Sequence, residues 1–155
     1  MQETALFICP TPTLAGAEST LKKLAKESKK RGNKILVVFL SRPDNLQWTE
    51  FTDDELLFLG GNSETIGFLK FAGLLVIWSL TLRRFDSVFT THIHTNGFVG
   101  LMRRLKLLRT STAIYRESMI PFYWYKGFRL LSFKFFYRIY GRPNMIVCQT
   151  REMKK

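Results

Sequence analysis

The chain has 155 residues, 46% of them hydrophobic, and sets 24 Lys and Arg against 12 Asp and Glu, a formal charge of +12. That length suits one domain with a substantial core, and the composition excludes a disordered or low-complexity chain. The charge bears on partners and not on fold: anionic lipid, phosphate-bearing ligands, nucleotides and nucleic acid all stay open.

The first apolar run, Leu6 to Cys9, is a buried strand signal. It lacks a basic leader and a cleavage site, so it does not read as a secretory signal, and a cytoplasmic protein is expected. Pro10 to Ala15 forms a turn, and Gly16, Ala17 and Glu18 open a lysine-rich helix from about Ala17 to Arg31 that stops at Gly32 and Asn33. Lys34 to Leu40 is a second buried strand, broken by the polar stretch Ser41 to Asn45. Leu56 to Leu59 is a short third strand closed by Gly60 and Gly61. Ser63 and Glu64 then cap a long helix predicted to reach Arg84. Ser87 to Thr91 is a fourth strand, Gly97 to Leu108 a helix with Asn96 as its cap, and Thr112 to Tyr115 a fifth strand. Tyr125 to Tyr140 is a helix rich in aromatic residues, and Met145 to Gln149 a sixth strand. After it, Thr150 to Lys155 has the pattern of the first turn of another helix, which predicts a domain cut from a longer protein. Six strands alternating with helices predict an α/β, Rossmann-like, doubly wound and mostly parallel sheet with helices on both faces.

Ile66 to Leu82 is strongly apolar but interrupted by Lys70 and slightly short for a span, which needs about 20 apolar residues. A crossover helix packed on the sheet suits its place in the order; a lipid-contacting helix and a true span are the alternatives. Cys9 and Cys148 fall in separate strands, without a C-x-x-C pair or metal-ligand spacing. Two reduced thiols are expected, and neither a metal nor another cofactor.

In such a sheet, ligands bind beyond the carboxyl ends of the strands. Gly16 and Ala17 sit there after the first strand, where backbone N–H groups at a helix start can approach a phosphate or a sugar oxygen. There is no G-x-G-x-x-G, so the dinucleotide fingerprint is absent. After the fourth strand come His92, His94 and Asn96, and two histidines without a third ligand are weak evidence for a metal. An imidazole there can hydrogen-bond a hydroxyl or a phosphate oxygen. After the fifth strand come Arg116, suited to a phosphate, and Glu117, suited to orienting an acceptor hydroxyl. A local ion pair and ordinary helix capping explain the same residues without a ligand. Lys126, Arg129, Lys134 and Arg138 are interleaved with aromatic residues at spacings that put the cations along one side, a pattern an anionic membrane surface attracts.

Gly16-Ala17-Glu18 after the first strand, the His92 loop after the fourth, the polar turn after the fifth and the ending Val147-Cys148-Gln149-Thr150-Arg151-Glu152-Met153-Lys154 together resemble the N-terminal domain of glycosyltransferase family 4, of the GT-B architecture. The resemblance covers essentially the whole chain, residues 1–155. It implies sugar transfer from a nucleotide-sugar donor with retention of configuration and without a metal. It also implies that this domain supplies the acceptor site while a second domain, absent from this chain, holds most of the donor. His92 and Glu117 are then the expected catalytic residues, with Gly16, Ala17, His94, Asn96 and Arg116 binding substrate. The acceptor would be a lipid-linked or polysaccharide glycan at the inner face of the membrane, held there by Lys126, Arg129, Lys134 and Arg138. Where many family members carry a histidine after the fifth strand, this chain has Arg116 or Glu117. A stand-alone, non-catalytic binding module is the alternative. A basic nucleic-acid-binding domain is a further one, but no RNA or DNA motif is recognisable and no nucleic acid is expected as a partner.

Overall fold

A computed structural model describes residues 2–42, 47–61, 63–117 and 126–148. Six strands, β1 (Thr4–Cys9), β2 (Lys34–Phe39), β3 (Leu56–Phe58), β4 (Arg84–Thr91), β5 (Arg109–Glu117) and β6 (Met145–Cys148), form one sheet in the order β3-β2-β1-β4-β5-β6. Every neighbouring pair is parallel. Among the described residues four helices alternate with them: α1 (Gly16–Lys30), α2 (Glu64–Leu80), α3 (Ile93–Arg104) and α4 (Gly127–Ile139). This is the α/β, Rossmann-like fold.

The pleat divides the core in two. Ala5, Phe7, Cys9, Val37 and Phe39 face α1, packing with Leu21 and Ala25 and with Trp48 and Phe51 from the β2–β3 connection. Leu6, Ile8, Val38, Val88, Ala113 and Tyr115 face the other way, onto Phe71, Leu75 and Trp78 of α2 and Val99 and Met102 of α3. Successive side chains of a strand point to opposite faces, so a continuous apolar run serves both layers.

Trp48 is fully buried, and its indole N–H donates to the Pro12 carbonyl at 2.9 Å, while Ser41 donates to the Pro10 carbonyl at 2.9 Å. These bonds tie the turn after β1 down onto the sheet and so fix where α1 begins. Glycine permits two further close approaches. A Cβ on Gly67 would overlap the Leu40 carbonyl, so α2 can start against the end of β2 only with glycine there. A Cβ on Gly100 would overlap the Tyr140 carbonyl at the end of α4.

Some boundaries differ from the sequence reading. α2 ends at Leu80, not at Arg84, because Leu82 turns to a positive φ of 57° and Arg84 already pairs in β4. α3 begins four residues earlier than predicted, so His94 and Asn96 lie inside its first turn, and the residue capping it is His92, not Asn96. β5 extends through Arg116 and Glu117, which therefore belong to the strand and not to the turn after it. The expected helix start at Thr150 to Lys155 lies outside the described residues. Among those residues no helix is long and apolar enough to cross a membrane, and α2 is a crossover helix.

Candidate functional site at the sheet switch point

Strand order reverses between β1 and β4: the chain goes from β1 outward to β2 and β3, then returns to start β4 on the other side. Open α/β sheets bind ligands in the crevice at that point. Here the N-termini of α1 and α3 meet over it. Glu18, in the first turn of α1, places Oε1 2.7 Å from Nε2 of His92, the residue capping α3. Neither helix start has a side-chain cap, so their backbone donors and dipoles are directed into the crevice.

His92 holds φ at 66°. Left-handed backbone at a residue with a side chain costs about 1–3 kcal/mol and persists where the surroundings impose it, commonly at functional sites. Glu18 is one such constraint. With Nε2 donating to the Glu18 carboxylate, a neutral ring presents Nδ1 as its acceptor. Glu18 is itself nearly inaccessible, at 1% exposure. Burial pushes its carboxyl up, but the His92 hydrogen bond, its own backbone N–H and the charges of His92 and Arg116 outweigh that and leave it below the usual carboxylate range. It is a fixed anion behind an imidazole.

Glu117 is the opposite case. It is buried at the end of β5, accepting from the Tyr140 hydroxyl and, at 2.9 Å, from Asn96 Nδ2. Burial pushes its carboxyl above the usual range; the hydrogen bonds and the nearby His92 and His94 offset only part of this. Burial and the Glu117 charge in turn push the Tyr140 phenol up. Asn96 Nδ2 also reaches the Arg116 carbonyl at 3.2 Å and the Tyr140 oxygen at 3.1 Å, tying α3 to β5 and to the residue after α4. Two carboxyls whose environments drive them apart are the pattern of a divided acid–base site.

His94, in the first turn of α3, stacks its ring on that of His92 with centroids 5.7 Å apart, and its Nε2 lies 2.8 Å from Glu64 Oε1 at the start of α2. Around this centre, Glu18 Oε2, Asn96 Oδ1, Arg116 Nη1 and the hydroxyls of Thr90, Thr91 and Thr95 are buried without a hydrogen-bond partner among the described residues. Buried polar atoms are seldom left so, and this concentration suits a ligand with many hydroxyls.

Of the residues expected from the sequence, the structure brings His92, His94, Asn96, Arg116 and Glu117 to one edge, with Ala17 buried beside Glu18 in α1. Gly16 starts α1 with open space where a Cβ would lie, so packing does not require a glycine there. Glu18, Glu64 and Tyr140 were not anticipated as site residues. A first-turn glutamate reads from sequence as dipole chemistry, because its partner lies 74 positions away.

Cys9 and Cys148 are not joined in a disulfide; Cys9 is buried, and burial and the nearby Glu18 push its thiol up. Among the described residues no cluster of three or more His, Cys, Asp or Glu is placed to hold a metal. No family model, no curated protein and no solved structure matches this chain.

Proposed function

We propose that this domain is the acceptor-binding half of a retaining, GT-B type glycosyltransferase, which moves a sugar from a nucleotide-sugar donor to a glycan or lipid-linked acceptor at the cytoplasmic face of an anionic membrane. The observation that carries the reading is the Glu18–His92 pair at the switch point, set between two helix starts and backed by Glu117. In this reading His92 accepts a hydrogen bond from the acceptor hydroxyl through Nδ1. Glu18 fixes the ring and stabilises positive charge that develops on it. Glu117, whose carboxyl burial pushes above the usual range, donates to a sugar oxygen in its protonated form, and Arg116 holds a phosphate or a carboxylate. The orphaned threonine hydroxyls supply further polar contacts.

Ligand-observed NMR tests this with the chain itself. Glycosides are expected to bind and to lose binding on His92→Ala, while nucleotide sugars bind weakly, since most of the donor site belongs to a second domain. Tight nucleotide binding with no glycoside binding would contradict the assignment. The chain by itself is expected to transfer sugar slowly or not at all, because in this reading a second domain supplies half of the cleft that orients the reactants.

The membrane part of the proposal rests on the face that carries α2, α3 and α4. On α4, Phe128 is 84% exposed and Leu131 and Phe135 are also exposed, beside exposed Lys126, Lys134 and Arg138. The cations are thus not segregated from the rings as the sequence spacing suggested; apolar and basic side chains share the outer surface. Arg129 has its side chain outside the description. α2 adds exposed Ile66, Leu69, Val76, Ile77 and Leu80. Exposed apolar patches of this extent mark interaction surfaces. Binding to vesicles is expected to require anionic lipid and to fall with added salt, as screening shortens to about 8 Å at physiological ionic strength. Replacing Lys126, Arg129, Lys134 and Arg138 together by Gln is expected to weaken it by tenfold or more, at about 1 kcal/mol per cation. Equal binding to neutral and anionic vesicles would remove the electrostatic part of the reading.

A further inference from the structure

A cavity lies at the other end of the sheet. It has a volume of about 900 Å³ and opens between the amino ends of β4 and β5 and the carboxyl ends of α3 and α4. Seven of its lining residues are cationic: Arg84, Arg103, Arg104, Lys106, Arg109, Arg138 and Arg142. No acid lines it, and among the described residues none of the seven is paired with a carboxylate.

Helix chemistry accounts for some of these charges. Arg103 and Arg104 in the last turn of α3, and Arg138 in that of α4, suit the negative ends of the helix dipoles. It does not account for the strands. The β4–β5 register sets Arg84 directly opposite Arg109, and like charges in that position destabilise a sheet. The fold adds to the crowding. Gly100 lets α3 meet the end of α4, and Gly141, at φ 71°, turns the chain so that Arg142 joins the same cavity. Arg103 is engaged with the Arg142 carbonyl at 3.2 Å, with Asn144 and with the Tyr115 hydroxyl.

We propose that this cavity is a binding site for a compact anion carrying several phosphate groups, separate from the switch-point site and independent of the function proposed for it. Six of the seven cations are arginines, whose planar guanidinium groups meet phosphate oxygens in pairs. A single phosphate, with a charge of about −1.5 to −2 near neutral pH, would leave most of that charge uncompensated. The volume falls in the range of small-ligand sites, roughly 300–1,000 Å³. The phosphates have two possible sources. They can be free in solution, or they can be carried on a lipid headgroup, for which exposed Leu82 and Leu105 beside the lining residues would offer apolar contact.

Calorimetry of the chain with inorganic tripolyphosphate is the direct test. Binding is expected at micromolar or tighter affinity, at least tenfold tighter than to sulfate, and weakening as salt is raised. It should raise Tm by roughly 5 °C at a ligand concentration about 100-fold above Kd. Arg84→Gln, Arg104→Gln and Arg142→Gln combined should weaken binding at least tenfold. Lys23→Gln, Lys26→Gln and Lys30→Gln combined remove the same charge from α1 and should leave it within about twofold of the parent. All six substituted side chains are exposed, so circular dichroism of both triple variants should match the parent. A second arm compares vesicles bearing a multiply phosphorylated lipid with vesicles of equal charge from singly phosphorylated lipid. Preference for the former assigns the lipid source; tripolyphosphate binding without that preference assigns the free one. Tripolyphosphate binding no tighter than sulfate, or equal loss in the two triple variants, would overturn the proposal. So would a single-stranded oligonucleotide binding more tightly than tripolyphosphate through the same three arginines.

Discussion

Gly67→Ala is expected to destabilise the fold by about 3 kcal/mol or more, at the upper end of what overpacking costs. The added methyl would overlap the Leu40 carbonyl, a backbone atom at the end of a central strand, with no flexible side chain to move aside. Relief requires the start of α2 to lift away from β2, which would expose the buried Phe71 and Leu75 that α2 sets into the core. Gly100→Ala should cost a similar amount by separating α3 from the end of α4, and it should also widen the cationic cavity. Gly73→Ala is the control, since a Cβ there meets open space. Exchanging glycine for alanine within a helix stabilises by roughly 0.5–1 kcal/mol. Thermal or denaturant unfolding of the three variants checks this. Equal stability of Gly67→Ala and Gly73→Ala would mean that α2 does not approach β2 as described.

The second large effect concerns His92. In the complete transferase that the proposed function implies, His92→Ala should lower kcat by about 100-fold, the scale of a positioned acid–base group, with donor affinity nearly unchanged. Glu18→Gln should fall between parent and His92→Ala: the amide can still accept from Nε2, but it cannot stabilise a charged ring. Glu117→Gln keeps a hydrogen-bond donor while removing the acidic proton. If Glu117 acts as a hydrogen-bonding group, the amide variant should retain most activity. If it delivers a proton, kcat should fall and the alkaline limb of the pH profile should disappear. Rates close to the parent for both His92→Ala and Glu18→Gln would separate this pair from catalysis. Comparing kcat with KM for each variant distinguishes lost chemistry from lost binding.

Architecture was legible in the sequence because it follows from local signals. Leu6 to Cys9 and Ile35 to Leu40 are too short and too uniformly apolar for surface helices, and Gly32, at φ 82°, ends α1 where a glycine was read as a stop. The errors arose where tertiary pairing overrides local chemistry. Arg109 and Arg116 look too polar for a parallel strand, yet the backbone pairing with β4 extends β5 over both of them. Asn96 reads as a helix cap from its residue type. Its amide is instead engaged inside the fold by Glu117 and Tyr140, residues 21 and 44 positions away. The candidate site divides in the same way. His92, Arg116 and Glu117 could be placed at the ligand edge by strand order alone, whereas the Glu18–His92 contact and the opposite behaviour of the two carboxyls depend on packing that no local pattern carries.

The switch point holds two carboxyls of opposite character around His92. Side-chain carboxyl NMR titration of Glu18 and Glu117 in the intact chain tests it most directly. Glu18 should titrate below the ordinary glutamate range and move upward in His92→Ala, which removes both a hydrogen bond and a positive partner. Glu117 should titrate above that range and move upward in Asn96→Ala, since the amide hydrogen bond favours its ionised form. Both carboxyls titrating together in the ordinary range, with Glu18 unmoved by the loss of His92, would contradict the account.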